Sequence, residues 1–251
     1  MYRVAYGWFD GSQKPAAKTS SGSSGYTEEP PSIFFKIPPK KQMKGTYMTP
    51  EIILQCVRNY YTLIGTRYII HIGRAGKHIS FEITVEKEDC YHLMGLHYLT
   101  DRPDKRSRAK IFDDLLSSKE YRNHIASSEL WTEELESRVI CTSVIDRFLD
   151  QNYSIIRYNP KRTYFFSKIS SEYLFVHNEN FFPVPNTSVF LFVDKRNNCE
   201  EHFCKSIFPK KNLDYSKHQP VWTLLYKAKI PPGKNTIILY KHNDYMSDYH
   251  Y

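Results

Sequence analysis

Two histidines with a glycine between them are the residues of this chain best suited to proton transfer. They lie in the run Tyr91-His92-Leu93-Met94-Gly95-Leu96-His97-Tyr98-Leu99. Histidine serves as a general acid or base because its pKa lies near neutrality. A glycine inside a helix costs roughly 1 kcal/mol relative to alanine, and it usually marks the close approach of another backbone or a ligand. We therefore take His92 as a candidate site residue, against the alternative that it is packed or solvated on a helix surface.

The elements around this run explain how it is positioned. Residues 78–85 alternate as a strand does, and the acidic residues of 86–89 then favour a helix start, since negative charge suits the positive end of a helix dipole. Leu93, Leu96 and Leu99 recur at a spacing of three and can face a core. In one continuous helix His97 lies about 140° around the axis from His92. We therefore expect His97 to be structural or exposed and not to share the face of His92.

The order of strand, acidic turn and His-Leu-Met-Gly-Leu helix resembles the phage Barnase-EndoU-colicin-RelE-like (PBECR) nucleases. It is most similar to the branch whose helix carries a His-Leu-X-Gly-Leu signature. The similarity continues through Ser206-Ile207-Phe208-Pro209, Asp214-Tyr215, Gln219 and the strand-like residues 221–227. The resemblance covers roughly residues 61–230 and rests mainly on the helix signature, because the later pieces are short.

This resemblance implies an α+β fold in which helices pack on a curved antiparallel sheet. It also implies a metal-independent endoribonuclease of toxin or phage-conflict type that cleaves RNA by 2′-OH attack and leaves a 2′,3′-cyclic phosphate. Such a reaction needs a base, an acid and groups that stabilise the phosphorane charge. His92 is the candidate base or acid. The implied partners are RNA and an antitoxin or immunity protein, with no cofactor, no metal and no membrane.

The remaining candidates lie in the second half of the chain. Lys205 and Ser206 begin the segment that matches the family's Ser-X-Phe element, and Tyr215 and Gln219 follow in a loop where they can bind phosphate or a base edge. Four cations are candidates for substrate binding, each against the alternative of a solvated surface residue: Arg162, Lys168, Lys210 and Lys211.

Composition is compatible with a nucleic-acid partner. The formal net charge is +8, with the basic excess near the two ends of the chain, and 15% of the residues are aromatic. Basic charge favours polyanions, although ordinary solubility explains it as well. Aromatic residues fill the faces of β-sheets or stack on bases. Five scattered cysteines and the lack of a signal peptide or an apolar run of ~18 residues lead us to expect a cytoplasmic protein.

The chain divides into a tail and a domain. Residues 1–45 are rich in Ser, Gly, Pro and basic residues and are predicted to be a disordered tail that is dispensable for folding. Residues 46–251 are predicted to form a single domain. It begins at Thr49-Pro50-Glu51, a good helix start. Helices follow at two apolar patterns around residues 111–116 and 130–149. Strands are predicted at residues 67–71, 78–85, 153–158, 163–168, 173–177, 189–193, 202–208, 221–228 and 236–240.

Several other activities lack support in the sequence. The run Cys199-Glu200-Glu201-His202-Phe203-Cys204 offers three ligand types close together, but a structural zinc site usually needs a second ligand pair. The chain contains no nucleotide-binding glycine loop, GxSxG or HExxH motif. Two alternatives to a nuclease stay open: a non-catalytic RNA-binding or protein-interaction module on the same fold, and a phage structural protein with a basic arm.

Overall fold

The computed structural model describes residues 48–178, 181, 186–197, 199–243 and 245. The predicted tail, residues 1–45, lies outside the described residues. Within the described part of the chain there are six α-helices: α1 (Pro50–Tyr61), α2 (Lys87–Leu93), α3 (Arg108–Ser117), α4 (Lys119–Ala126), α5 (Glu133–Thr142) and α6 (Ile145–Asp150). The same residues form eight strands: β1 (Arg67–Arg74), β2 (Lys77–Thr84), β3 (Ser154–Arg157), β4 (Tyr173–His177), β5 (Val189–Lys195), β6 (His202–Pro209), β7 (Val221–Ile230) and β8 (Ile237–Lys241).

The strands form one sheet whose pairing returns on itself. Its order is β1-β2-β6-β5-β4-β3-β7-β8, and β1 also pairs with β7, so every strand except β8 belongs to a closed circuit. All pairings are antiparallel except that of β2 with β6. The register shifts at Ile72, Val193 and Ala228, and such bulges bend a sheet. The predicted α+β class with a curved sheet is confirmed.

Local sequence signals account for where the first helix begins. Thr49 has an extended backbone, and its hydroxyl accepts a hydrogen bond from the amide of Ile52 at 3.3 Å, as an N-cap does. Pro50 follows at the first helical position, where its missing amide hydrogen costs nothing. The predicted helix start is confirmed.

The central strands are buried on both faces. Ile155, Phe175 and Leu191 belong to the core shared with the helices. Their chain neighbours belong to a second core on the opposite side, because successive side chains of a strand alternate. That second core consists of Ile156, Tyr158, Leu174, Val176, Phe190 and Phe192, with Ile169, Phe208 and Tyr215 packed against it. Many of the aromatic side chains in this half of the chain therefore pack in the two cores.

Two sequence-based predictions were wrong. Residues 163–168 do not form a strand: a 3-10 turn at Pro160–Arg162 precedes them, and the segment is held by side-chain hydrogen bonds instead of a ladder. The apolar pattern of residues 130–149 is split into α5 and α6. The hydroxyls of Thr142 and Ser143 donate to the carbonyls of Arg138 and Ile140, which competes with helix continuation.

A third helix in this region, α4, was not predicted as a separate element. Ser118 ends α3 with an extended backbone, and its hydroxyl accepts from the amide of Tyr121 at 3.1 Å to cap α4. Helices α2 and α5 both pack against β6, which brings the end of α2, α5 and the middle of β6 together. None of the helices in the described residues has the length and apolarity needed to cross a membrane.

Candidate active site

The N-terminal end of α2 is fixed by paired charges. Glu86 and Asp89 form a capping box, in which the Glu86 amide donates to the Asp89 carboxylate at 3.1 Å. The Arg196 guanidinium, just past β5, grips both Asp89 oxygens at 3.0 and 2.6 Å. Burial raises the pKa of Asp89, and Arg196 opposes that shift. The acidic turn therefore starts the helix as predicted and also ties it to the sheet.

The C-terminal end of α2 differs from the prediction. The helix ends at Leu93, and Gly95 has φ 76°, a left-handed conformation that terminates it. A β-carbon at Gly95 would lie 2.8 Å from Leu135 Cδ2 and 3.0 Å from Arg138 Cδ. The expected close approach exists, but its cause is the side chains of α5. The expectation of a glycine inside a continuous helix was wrong.

This early termination brings the two histidines together. After Gly95 the chain turns into a short 3-10 helix, Leu96–Tyr98, that carries His97 back beside His92. Their Nδ1 atoms lie 3.3 Å apart and their ring centroids 4.8 Å apart. The expectation that His97 faces away from His92 was therefore wrong, because the helical geometry behind it stops at Leu93. The described residues offer no hydrogen-bonding partner to either Nε2 atom.

Both histidines have lowered pKa values. Burial lowers the pKa of His92, and the charges of Arg108 and Lys205 lower it further. The pKa of His97 falls to about 4 through burial, the neighbouring His92, and the charges of Arg138 and Arg108. Both shifts disfavour the charged imidazolium form, so the surroundings favour two neutral rings. Neutral histidines can accept protons, which imidazolium ions cannot.

Arg138 of α5 is the functional candidate that sequence reasoning missed. Its guanidinium donates to Ser206 Oγ at 2.6 Å and lies 4.8 Å from the ring centroid of Phe208 and 5.6 Å from that of Tyr98. Burial lowers the pKa of Arg138, although an arginine stays charged. The signal available in the sequence was an arginine on the face that Leu135 and Val139 bury. That signal is weak without knowledge that this face meets β6.

Ser206 joins the cluster formed by His92, His97 and Arg138 through its hydrogen bond with Arg138, whereas Lys205 has other partners. Lys205 Nζ donates to the carbonyl of Ser170 at 2.6 Å and to the Asp194 carboxylate at 2.7 Å. Lys205 lies where the register between β5 and β6 shifts, so the side chains of Lys205 and Ser206 do not point to opposite faces of the sheet as neighbours in a regular strand do. Lys205 thus stays near enough to affect the His92 pKa, while Asp194 compensates part of its charge.

Tyr215 and Lys211 reach the cluster through a groove. A groove of about 710 Å³ runs from Tyr98 and Arg138 to Phe208, Tyr215 and Lys211. Lys211 lies 3.4 Å from the Glu134 carboxylate, and Lys210 pairs with Asp214 at 2.6 Å. The lining of the groove therefore combines the rings of Tyr98, Phe208 and Tyr215 with two cations, Arg138 and Lys211, the second of which is paired with Glu134. This combination suits the flat rings and the phosphates of a nucleotide.

Three other candidates lie apart from the histidine pair in the described contacts. Gln219 is engaged by a backbone: its oxygen accepts from the Asn159 amide at 3.1 Å, and its nitrogen donates to the Asn159 carbonyl at 2.9 Å. Arg162 and Lys168 are exposed on the connection between β3 and β4. They flank an irregular segment and not the strand that was predicted there.

The cysteine-rich run does not gather its side chains. Cys204 is buried in the core, Cys199 is exposed, and His202 Nε2 lies 3.0 Å from a Glu172 oxygen. The residues that the structure describes contain no group of three or more His, Cys, Asp or Glu side chains arranged to hold a metal ion.

The α+β fold thus brings together a histidine pair, adjacent cations and an aromatic groove, which are groups of the kind that can act on phosphate esters. The chain belongs to the phage-Barnase-EndoU-ColicinE5/D-RelE like nuclease 4 family, whose model matches residues 52–244. The resemblance found in the sequence is thereby confirmed at the level of the family, and the branch with the His-Leu-X-Gly-Leu helix stays a prediction. No curated protein and no solved structure matches the chain.

Proposed function

We propose that this nuclease is an endoribonuclease in which His92 and His97 together carry out acid–base catalysis. The RNA 2′-OH would attack the neighbouring phosphorus, and the 5′-oxygen would leave to give a 2′,3′-cyclic phosphate. The observation that carries the proposal is the 3.3 Å contact between the two Nδ1 atoms, at a place where burial and nearby cations disfavour protonation of both rings.

The Nδ1 contact supplies a base and an acid at the same time. When one neutral ring donates its Nδ1 hydrogen, its Nε2 carries a bare lone pair. The ring that accepts at Nδ1 must then carry its hydrogen on Nε2. The pair therefore presents one proton acceptor and one proton donor on its two outer nitrogens. These are the two groups that cleavage through the 2′-OH requires.

The proton balance closes within the pair. The bare Nε2 takes the 2′-OH proton as the O–P bond forms, and the other Nε2–H gives its proton to the departing 5′-oxygen as the P–O bond breaks. As the second ring loses its Nε2 proton, the first ring passes its Nδ1 proton to it across the 3.3 Å contact in the same step, so that no imidazolate forms. Both rings are neutral again with their tautomers exchanged. The exchanged pair suits hydrolysis of the cyclic phosphate, in which donor and acceptor swap roles.

Neighbouring cations support the proposal by their charge. Arg138, fixed by Ser206 and by the rings of Tyr98 and Phe208, is the strongest candidate to stabilise the phosphorane oxygens. Arg108 is near enough to lower the pKa of both histidines, and Lys205 that of His92. Tyr215 lines the adjoining groove and would contact the nucleotide. Gln219 is left out of the reacting groups, because its amide is occupied by Asn159.

The test compares one labelled sequence as RNA, as DNA and as 2′-O-methyl RNA. The wild-type protein should cleave the RNA alone and leave a 2′,3′-cyclic phosphate that mass spectrometry identifies. His92→Ala and His97→Ala should each lose roughly 10²–10⁴ of the cleavage rate. The double variant should lose little more than the worse single variant, because residues that act as a unit are not additive.

The matched control is His124→Ala. His124 is an exposed histidine on α4, and its replacement should leave both cleavage and the melting temperature unchanged. Cleavage of all three substrates would contradict 2′-OH attack. RNA binding without cleavage, unaffected by His92→Ala, would favour the non-catalytic module instead. For the proposed role as a toxin in phage–bacterial conflict, expression of the wild-type protein should inhibit growth, and expression of His92→Ala should not. Co-expression of an antitoxin or immunity protein should relieve the inhibition by the wild-type protein.

A further inference from the structure

The connection between β3 and β4 exposes aromatic rings that the two cores do not use. Phe166 is 87% exposed and Tyr164 55% exposed, whereas Phe165 between them turns inward against Tyr215, with ring centroids 4.9 Å apart. Large apolar side chains presented to solvent in this way usually mark a contact surface.

These exposed rings are held in place. The Tyr164 hydroxyl accepts from the Asp214 amide at 3.1 Å, which joins the segment to the loop before β7. The Ser167 hydroxyl pairs with the Tyr158 hydroxyl at 2.8 Å. A surface fixed before binding loses less conformational entropy when a ligand arrives.

Cations surround the rings. Residues 159–171 contain Lys161, Arg162 and Lys168 and no acidic residue. On the neighbouring loop, Lys217 Nζ lies 5.4 Å from the ring centroid of Tyr164. Glu172, the next residue after this stretch, pairs with Arg157 and His202, and Asp214 on the neighbouring loop pairs with Lys210. The ligand that suits this surface is therefore a flat, polyanionic one.

The surface is continuous with the proposed active site. From the Arg138 guanidinium, the Phe208 ring centroid is 4.8 Å away, and the Tyr215 ring lies 5.7 Å beyond it. Tyr215 in turn contacts Phe165, whose ring centroid lies 5.0 Å from that of Tyr164. These ring contacts are packing contacts, and the surface connection is made by Ile169, which belongs to the same segment as the exposed rings and lines the groove with Tyr215, Arg138 and Tyr98. The exposed rings therefore lie beside the groove, on the side away from Tyr98.

We infer that residues 159–169 form a platform on which the bases of single-stranded nucleic acid stack, outside the groove that adjoins the histidine pair. Unpaired bases are required, because only they expose their faces to Phe166 and Tyr164. Arg162 and Lys168 then contact the phosphates, in agreement with their selection as substrate-binding candidates. The inference rests on the proposed function for the course of the strand between groove and platform but not for the existence of the platform.

Binding and cleavage are measured separately so that the two proposals can fail independently. Binding uses a fluorescent 12-nucleotide 2′-O-methyl RNA, which has no 2′-OH to attack, together with a 12-base-pair duplex of the same strand. Phe166→Ala should weaken binding of the single strand by roughly 5- to 150-fold, the range for loss of one stacked base. Its affinity for the duplex should stay that of the wild type. Phe166→Trp should restore single-strand binding.

The control is Tyr61→Ala, which removes an aromatic side chain of α1 that is about as exposed as Tyr164. It should leave single-strand binding unchanged. If Phe166→Ala leaves binding of the single strand unchanged, or weakens binding of the duplex as much, the platform is excluded. Unchanged binding of the single strand would leave the segment free for a protein partner. Equal weakening for the duplex would mean that the segment acts as a general charged surface.

Salt dependence separates the charges from the rings. Each lost phosphate contact should flatten the slope of log affinity against log salt by roughly 0.7 for a single strand. The variant Arg162→Ala/Lys168→Ala should therefore flatten the slope, while Phe166→Ala should lower affinity at an unchanged slope. Equal slopes for the wild type and the double charge variant would exclude the phosphate contacts.

Cleavage completes the design. Phe166→Ala should lower kcat/KM for a 12-nucleotide RNA and leave it unchanged for a dinucleotide, which is too short to reach the platform. If the wild-type protein cleaves nothing while Phe166→Ala still weakens single-strand binding, the platform is upheld and the proposed catalytic function fails. If both substrates lose the same rate, the platform is wrong even though the enzyme is active.

Discussion

The two ends of helix α2 differ in how the charges around them are paired. At the N-terminal end, Asp89 is 5% exposed and its charge is matched by Arg196, whose side chain is 16% exposed. At the C-terminal end, His92 and His97 lie among Arg108, Arg138 and Lys205. Of the residues that the structure describes, neither Arg108 nor Arg138 has a carboxylate partner within salt-bridge distance. The paired charges of Asp89 and Arg196, here called the anchor, thus lie at one end of α2. Three cations, two of them without a carboxylate partner, lie at the other end.

The comparison favours a division of roles in which the N-terminal end stabilises the fold and the C-terminal end, as proposed above, acts on the substrate. The matched, buried pair of Asp89 and Arg196 holds the helix in one place. The cations at the other end disfavour protonation of the two histidines. Those without a carboxylate partner can pair with a phosphate when the substrate binds. The experiments below are designed to alter one end without the other.

The largest effect is expected at the anchor. Asp89→Ala removes the buried partner of Arg196 and leaves it only the more exposed Glu86 carboxylate at 3.2 Å, so it should lower the free energy of unfolding by up to about 3–5 kcal/mol. Urea denaturation measures this loss. The cleavage rate per folded molecule should change little, because the histidine pair is at the other end of the helix.

A second ion pair on the same helix is the control for that change. Lys87 on α2 pairs with Asp113 of α3 at 2.7 Å, but both side chains are substantially exposed. Asp113→Ala should therefore cost far less stability than Asp89→Ala. Equal losses for Asp89→Ala and Asp113→Ala would mean that burial does not distinguish the two pairs, and the description of the anchor would be wrong.

The next effect is expected at the boundary between helix and site. Gly95→Ala forces a side chain into a left-handed conformation, which costs roughly 1–2 kcal/mol. It also places a β-carbon 2.8 Å from Leu135 and 3.0 Å from Arg138. We expect a loss of stability above the conformational cost alone, and a lower cleavage rate because Arg138 and the His97 turn are displaced. Denaturation and initial-rate assays measure the two effects.

Gly76 provides a matched glycine. It has the same φ of 76°, and a β-carbon there would meet nothing within 4 Å. Gly76→Ala should therefore show the conformational cost without the packing cost and should retain cleavage. If the two variants lose the same stability and the same activity, the packing of Gly95 on α5 does not shape the site.

The same boundary shows how far the sequence could lead. The N-cap at Thr49 and the strand at Tyr173–His177 are set by local signals, and both were predicted from them. The family signature also drew attention to His92. The meeting of His92 with His97 could not be predicted, because helical periodicity gives positions only while the helix lasts. What ends it is the left-handed Gly95, whose place is fixed by α5 some 40 residues later.

Arg138 escaped prediction for a related reason. Its side chain is informative only once α5 is known to pack on β6, and that contact joins residues far apart in the chain. The return of the sheet through the pairing of β1 with β7 is equally non-local. The prediction of a strand at residues 163–168 was wrong for a local reason. Their aromatic run is typical of a strand, but Pro160 and the hydrogen bonds of Thr163 and Ser167 hold them in an irregular path.

The smallest effect on stability is expected from pH. The pKa of His97 is about 4 in the folded protein, whereas an unfolded histidine titrates near 6.5. Between these values the unfolded chain binds more protons, so the free energy of unfolding should fall as pH is lowered from about 6.5 to 4, and this contribution is lost completely below 4. Since His97 is exposed to solvent, we expect a contribution of under about 1 kcal/mol.

Cleavage should respond to the same titration far more strongly than stability does. Protonation removes the bare Nε2 that acts as the base, so the rate should fall with decreasing pH across this window even while the protein stays folded. His97→Gln should reduce the slope in stability to the part that His92 contributes, and His124→Gln, which changes an exposed histidine away from the pair, should retain the full slope. A rate that falls only in step with the folded fraction would mean that acid acts on the fold alone. The C-terminal end of α2 would then be no more than a second, weaker anchor, and the contrast between its two ends would disappear.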